Sequence, residues 1–326
     1  MAVFIGQGDR DESGNQKAKE RALEIFQALH EKLSIYPEQA EIAYNSKDVH
    51  DIKKKGKSTV YIGVENGYPI GNDLNSIKEF YDLGARYITL CHTRNNDICD
   101  SSTDKKGAEF NGLSKFGEEV VKEMNRLGMI IDVSHISDSS YYDVLKLSEA
   151  PIIASHSSVR AICDSPRNFD DKMLHALKEN NGVIQICILS DYIKEAEPYP
   201  ARDSAFQALR IKWNHYQDLT EQEYNQASKE WRALQIKFPK DLATVADAVD
   251  HIDYVVNTIG VDYVGIGTDF DGGGGLEDCK DASQMKNITI ELLKRGYTKE
   301  EIKKIWGGNF LRVFKEVEKV AETNNI

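Results

Sequence analysis

The chain has 326 residues, with 41 Lys and Arg against 53 Asp and Glu and a net charge of -12. That length suits one large α/β domain, and the acidic balance disfavours nucleic acid and anionic membrane surfaces, both of which need a basic footprint. Five scattered cysteines (Cys91, Cys99, Cys163, Cys187, Cys279) form no disulfide framework and no Cys-x-x-Cys knuckle, and no apolar run reaches the roughly 18 residues of a membrane-spanning helix, so a reducing, cytoplasmic compartment is the default expectation.

Residues 2–5 read as a buried strand that begins directly after Met1, without the basic and apolar regions of a signal peptide. Helical spacing of Ala18, Ala22, Ile25 and Leu29 predicts a helix over 16–33. A second strand is expected over 58–64, ending at Glu65-Asn66-Gly67, then a short helix over 74–83 and a third strand over 85–90, ending at Cys91-His92. A helix over 114–127 leads to a fourth strand over 129–133. Residues 136–150 form the next helix, with Ser137, Asp138 and Ser139 available as N-cap. The fifth strand covers 152–154, a helix 170–179, and the sixth strand 182–188. A charged insertion over 190–240 follows, whose Trp213, Tyr216, Tyr224 and Trp231 suggest one or two helices folded over a barrel mouth. A helix over 243–259 and a seventh strand over 261–267 bring the chain to Thr268-Asp269-Phe270-Asp271, and an amphipathic helix over 302–320, entered through Gly307-Gly308-Asn309, ends it.

Alternating strands and helices mean a parallel sheet. The expected fold is a (β/α)₈-type TIM barrel with seven strands, the first one missing, and a helical insertion between the last two. An open barrel exposes two strand edges, so the chain is expected to be poorly stable alone or to need a homodimer partner.

In a TIM barrel, polar residues at the carboxyl ends of strands read as catalytic, and Glu65, His92, His135, His156 and Asp269 all fall there. His135 and His156 close successive strands. Neighbouring strands lie about 4.8 Å apart, so two imidazoles placed just past them can reach one metal at about 2.0–2.1 Å, with Asp132 and Ser157 available as acceptors behind them. Glu65 supplies a carboxylate that can bridge two cations. Asp269 suits metal ligation or general-base work. An EF-hand loop starting there would need glutamate at its twelfth position, where Lys280 stands. His92 can donate to a developing oxyanion, and Arg167 can clamp a substrate carboxylate. Lys53-Lys54-Lys55 with Lys57 reads as a solvated loop, and the glycines at 272–275 lack the Gly-Lys-Ser/Thr of a phosphate loop.

Together, Val64-Glu65-Asn66-Gly67, Leu90-Cys91-His92, Asp132-Val133-Ser134-His135, Ser155-His156-Ser157-Ser158, Arg167-Asn168, Gly267-Thr268-Asp269-Phe270-Asp271-Gly272 and Gly308-Asn309-Phe310-Leu311-Arg312-Val313 resemble the membrane (renal) dipeptidase family, zinc metallopeptidases on an amidohydrolase-like barrel. The match covers nearly the whole chain in the family's order. The resemblance implies two zinc ions bridged by Glu65, with His135 and His156 completing one site and Asp269 binding the other and shuttling the proton. It also implies that His92 stabilises the tetrahedral intermediate and that Arg167 holds the terminal carboxylate of a dipeptide substrate. The family's first-strand His-x-Asp, which binds the second zinc, has no counterpart. His251-Ile252-Asp253 is the one such pair and falls mid-helix. A start assigned too far downstream, or a fragment, would explain the loss of strand and ligands together. The chain as read keeps one three-ligand site. Two other readings stay open: an inactive or single-metal remnant that binds ligands, and another amidohydrolase-type enzyme such as a deaminase or lactonase.

Overall fold

The computed structural model describes residues 1–195, 197–214 and 219–324; the expected lid residue Tyr216 lies outside them. The elements run β1 (Ala2–Phe4), α1 (Glu12–Ile35), β2 (Ala40–Ile42), α2 (Asp48–Lys54), β3 (Ser58–Val60), β4 (Ile62–Glu65), α3 (Asn75–Asp82), β5 (Ala85–Thr89), α4 (Lys115–Leu127), β6 (Ile130–Asp132) and α5 (Asp138–Leu147). They continue with β7 (Ile153–Ser157), α6 (Asp171–Glu179), β8 (Val183–Cys187), α7 (Ser190–Ile193), α8 (Pro200–Lys212), α9 (Glu221–Lys237), α10 (Val245–Ile259), β9 (Val264–Gly267), α11 (Lys286–Lys294), α12 (Lys299–Lys303) and α13 (Asn309–Asn324).

Seven strands form one sheet in the order β1-β4-β5-β6-β7-β8-β9, every pair parallel. Ala2 and Phe4 of β1 and Gly265 and Ile266 of β9 line the same cavity, so the sheet is curled. A closed barrel of this kind has eight strands; here β1 and β9 are the two edges of an open, seven-stranded one. Near-continuous apolar strands such as Ile130-Ile131 and Val183-Ile184 are buried, as a sheet covered by helices requires.

Local chemistry sets the helix ends. Asp11, Ser114, Ser137 and Asp170 each accept a hydrogen bond from a first-turn N–H, and Gly128 closes α4 in the left-handed conformation. The last helix is interrupted: Gly307 has φ 153°, and Asn309, buried, donates to the carbonyls of Val261 and Val264. This is why Gly307-Gly308-Asn309 precedes α13. The helix ties the start of β9 to the far side of the barrel.

Several expectations need correction. The strand expected over 58–64 is two strands. Ser58–Val60 pairs with Ala40–Ile42 in a separate two-stranded sheet, and only Ile62–Glu65 joins the barrel. β7 runs on to Ser157, so His156 lies inside a strand rather than past its end. The pairing of β7 with β8 shifts register between Ala154 and Ser157, an irregularity that lets the strand continue. The insertion holds α8 and α9, which pack on each other through Phe206 against Trp231 and Lys212 against Glu230. Among the described residues, α8 and α9 contribute none of the cavity lining. No helix of the described residues is long and apolar enough to cross a membrane.

Close backbone approach explains Gly267. A Cβ there would stand 2.2 Å from the Ser155 carbonyl oxygen and 3.1 Å from His156 Cα. Neither neighbour is a flexible side-chain tip. Gly267→Ala should therefore cost about 1–3 kcal/mol, read as a lowered urea midpoint; an unchanged midpoint would contradict the packing described.

Candidate metal centre

Glu65 ends β4, and the turn after it is fixed from several sides. Asn66 is fully buried with φ 80°; its side chain donates to the Ile5 carbonyl at 2.8 Å and accepts from Asn96 at 3.2 Å. Gly67 allows the chain to pass Leu90, since a Cβ would lie 2.8 Å from that residue's carbonyl oxygen. Val64-Glu65-Asn66-Gly67 is thus a device for aiming one carboxylate.

Glu65 Oε1 stands 3.5 Å from Nε2 of His135 and 3.5 Å from Nε2 of His156, and the two Nε2 atoms are 2.8 Å apart. These three side chains form a group whose ligand atoms all lie within 4.8 Å of one another. Both imidazoles are almost fully buried. His135 sits three residues past β6 with φ 74°, a left-handed conformation that costs a non-glycine residue about 1–3 kcal/mol and so marks an imposed position. Its Nδ1 is buried without a hydrogen-bond partner.

Asp132 lies behind the pair. Its Oδ1 accepts from the backbone N–H groups of Ser134 at 3.0 Å and Ser155 at 2.9 Å, and its Oδ2 accepts from the hydroxyls of Thr89 and Ser155. Asp132 therefore reaches the histidines only through Ser155, whose Oγ is 2.7 Å from His156 Nδ1. Ser157 does not serve His156 at all; its hydroxyl accepts from Arg167 at 3.4 Å. The sequence offers Ser155 only within the Ser155-His156-Ser157-Ser158 match and gives no sign of Thr89, because nothing in a hydroxyl's spacing tells which way it points.

The remaining candidates surround this core. His92 Nε2 is 3.9 Å from Glu65 Oε1, and its ring packs between those of Phe4 and His135. Asp269 lines the same cavity at φ 49°, outside the three-residue group. Its loop needs glycines, since a Cβ at Gly272 would fall 2.0 Å from Asp269 Oδ1. Arg167 is only 4% exposed and does not line the cavity. Its guanidinium donates to the His156 carbonyl at 3.0 Å and lies 5.2 Å from the ring centre of Tyr192, which does line the cavity. The cavity itself measures about 1020 Å³ and continues from this rim into the barrel past Tyr87 and Ile153. His251 is excluded as a ligand. It is fully buried in α10, with Nδ1 accepting from Val159 N–H and Nε2 against the Ile193 carbonyl.

Burial dominates the titration of the site. It pushes the Glu65 carboxyl up to about 7, helped by Asp269 and Asp132 and opposed by Arg167. It also raises Asp269. Burial, with the positive Arg167 nearby, pulls His92 down to about 4 and holds His135 and His156 well below the usual histidine range. Neutral imidazoles and a carboxyl reluctant to ionise alone are what a divalent cation meets and corrects. Two nitrogens and one oxygen are a donor set for a borderline ion. Ligands around a tetrahedral ion at 2.0–2.1 Å stand about 3.4 Å apart. The two 3.5 Å distances fit this, and the histidine pair would open by roughly half an ångström.

The family model for membrane dipeptidases (peptidase family M19) matches residues 1–326. The chain belongs to the membrane dipeptidase family. Among curated relatives it is 33% identical to Dipeptidase tcpJ of Claviceps purpurea over 97% of this chain and 64% of that protein. It is also 33% identical to Dipeptidase 3 of Homo sapiens over 95% of this chain and 55% of that protein. The chain thus spans between half and two thirds of these relatives. Among solved structures, the probable dipeptidase PvdM from Pseudomonas aeruginosa is 32% identical with a TM-score of 0.84, covering 98% of this chain and 85% of that one. The same fold recurs at 20% identity in the metallopeptidase dipeptidase AC, with a TM-score of 0.76 over 97% of this chain and 84% of that one.

The raised Glu65 pKa has a signed consequence for the metal-free chain. Unfolded, the carboxyl ionises near 4.5; folded, near 7. Its favourable contribution is complete below about 4.5 and is lost as pH rises through 7. Glu65→Gln in chelator should match the wild type near pH 4.5 and exceed it by about 3 kcal/mol at pH 8, measured by urea denaturation. A destabilised variant at pH 8 would contradict the burial of an unpaired carboxylate.

Proposed function

We propose that the chain is a zinc-dependent dipeptidase. The observation that carries the proposal is the convergence of Glu65, His135 and His156 on one point at the carboxyl rim of a parallel barrel, at the head of a large cavity. Three protein ligands of this kind leave a coordination position free, the pattern of a catalytic rather than a structural zinc.

When bound, the ion supplies Lewis acidity to water and to the peptide carbonyl. The chain's own residues do the rest. Glu65, His135 and His156 hold the ion. Asp269, lining the cavity with a burial-raised pKa, takes a proton at its carboxylate and returns it to the leaving amine. Neutral His92, beside Glu65 on the cavity wall, donates to the carbonyl oxygen as charge develops there. Arg167, buried beside Tyr192 and outside the cavity lining, supplies positive charge at a distance for the substrate's terminal carboxylate.

One observation favours a second reading, a single-metal ligand-binding protein: among the described residues only one group of three or more ligands forms. Metal content and turnover separate the two. The purified full chain, loaded with zinc, should hydrolyse dipeptides, and Glu65→Gln should lower turnover at least about 10³-fold. Replacing a dipeptide by its C-terminal amide should lower kcat/KM by at least about tenfold. A chain that binds zinc at these residues yet turns over no dipeptide would establish the second reading. Equal rates for acid and amide would remove Arg167 from substrate binding.

A further inference from the structure

We propose that Ser155 and Asp132 are positioning residues that lock His156 in the tautomer with its proton on Nδ1, so that the Nε2 lone pair faces Glu65 and is kept for a divalent cation. The inference rests on the metal-centre reading of Glu65, His135 and His156, and its test is chosen to separate the two.

The protons along this path can be counted one by one. Asp132 is fully buried, and its two oxygens accept four hydrogen bonds, from Thr89 Oγ1, Ser134 N, Ser155 N and Ser155 Oγ. A carboxylate gives no proton back. The Ser155 hydroxyl has one proton, and at 2.6 Å from Asp132 Oδ2 that proton is spent on the carboxylate. The Ser155 oxygen can then only accept at its contact 2.7 Å from His156 Nδ1. The ring must therefore carry hydrogen on Nδ1, which leaves Nε2 bare in the neutral imidazole. The backbone around the ring is fixed as well. His156 N–H donates to Ser134 Oγ at 3.0 Å, and its carbonyl accepts from Arg167.

The arrangement differs from a direct carboxylate–histidine pair, because a hydroxyl is inserted between them. A carboxylate touching Nδ1 would place a charge next to the ring. A serine transmits only the direction of the proton and leaves the charge one residue back, inside a ring of four donors. His135 has no such partner, its Nδ1 being buried and unpaired. The two histidines are thus unequal: His156 arrives with its lone pair already aimed, while the His135 ring, packed against those of His92 and His156, has no partner on Nδ1 to fix its tautomer.

The polarity can be reversed by one atom. In Asp132→Asn, an amide N–H₂ facing Ser155 donates to the hydroxyl instead of accepting from it. The serine proton then turns to His156 Nδ1, and the imidazole proton moves to Nε2, where it blocks the metal. Ser155→Ala removes the link, and Ser155→Thr keeps the hydroxyl.

The experiment is long-range ¹H–¹⁵N correlation on the ¹⁵N-histidine-labelled full chain in chelator, with His156→Ala used for assignment and Zn²⁺ affinity measured by chelator competition. Wild type and Ser155→Thr should show His156 protonated on Nδ1 and bind Zn²⁺ within about threefold of each other. Ser155→Ala should lose the single tautomer and bind about 10–100-fold more weakly, while the chain stays folded, as thermal unfolding will show. Asp132→Asn should shift the proton to Nε2 with at least as large a loss. Because Asp132 ties several core groups, the alanine–threonine pair decides the matter even if the asparagine variant does not fold. A wild-type His156 protonated on Nε2, or Ser155→Ala with the wild-type tautomer and affinity, would overturn the proposal. Absence of dipeptide turnover bears on the enzyme assignment alone and leaves the tautomer result standing.

Discussion

Asp132 is the point at which three strands of the barrel are fastened to one another above the core. Its main-chain carbonyl accepts from Leu90 N–H just past β5, and its side chain draws in Thr89 from β5 and Ser155 from β7. The bonds to its carboxylate are charge-assisted and shielded from water, where such bonds are stronger than neutral ones. This fastening helps set the rim on which two imidazoles from different strands stand with their Nε2 atoms 2.8 Å apart. The site is therefore a property of how the sheet is tied at its rim as much as of the ligands themselves.

Around that tie the protein gathers charges that do not balance locally. Glu65, Asp269 and Asp132 face one cluster of three histidines and the buried Arg167. Burial removes the solvent that would stabilise either sign, so the Glu65 and Asp269 carboxyls resist ionising and the imidazoles resist protonation. Arg167 offsets part of the carboxylate charge while keeping protons off the histidines. What the cluster lacks is a compact positive charge that takes lone pairs, which is the role a divalent cation fills. The left-handed backbone at His135 and Asp269, and the glycines packed against Asp269, are structural costs that make sense only if the position of these side chains matters more than local ease.

Much of this was legible in the chain because parallel strands announce their ends. Short apolar runs closed by Glu65, His135 and His156 could be placed on one rim by topology alone, and the helices between them carried their own caps at Ser114, Ser137 and Asp170. His92 and Asp269 stood at strand ends in the same way, and the membrane dipeptidase resemblance gave them and Arg167 their particular roles. Three-residue strands were harder: Ala40–Ile42 contains a charged Glu41, and its partner Ser58–Val60 ran on into β4 as if one strand. The helix Lys286–Lys294 has a faint sequence signal, since Asn287, Ile288, Thr289 and Ile290 are weak helix formers and it is held by burial of Ile288 and Leu292 and by the bond from Trp306 to Thr289. What Ser155 does was invisible for a different reason. Its contribution is the direction of one proton, fixed by Asp132 from a residue on another strand.

The central claim is that Glu65, His135 and His156 hold one ion together. X-ray absorption at the zinc edge on the chain loaded with one equivalent of zinc tests it most directly. The account predicts a first shell of two imidazole nitrogens and carboxylate or water oxygen at about 2.0–2.1 Å, with one histidine's scattering lost in His135→Ala. A shell of oxygen alone, or one unchanged by that substitution, would contradict it.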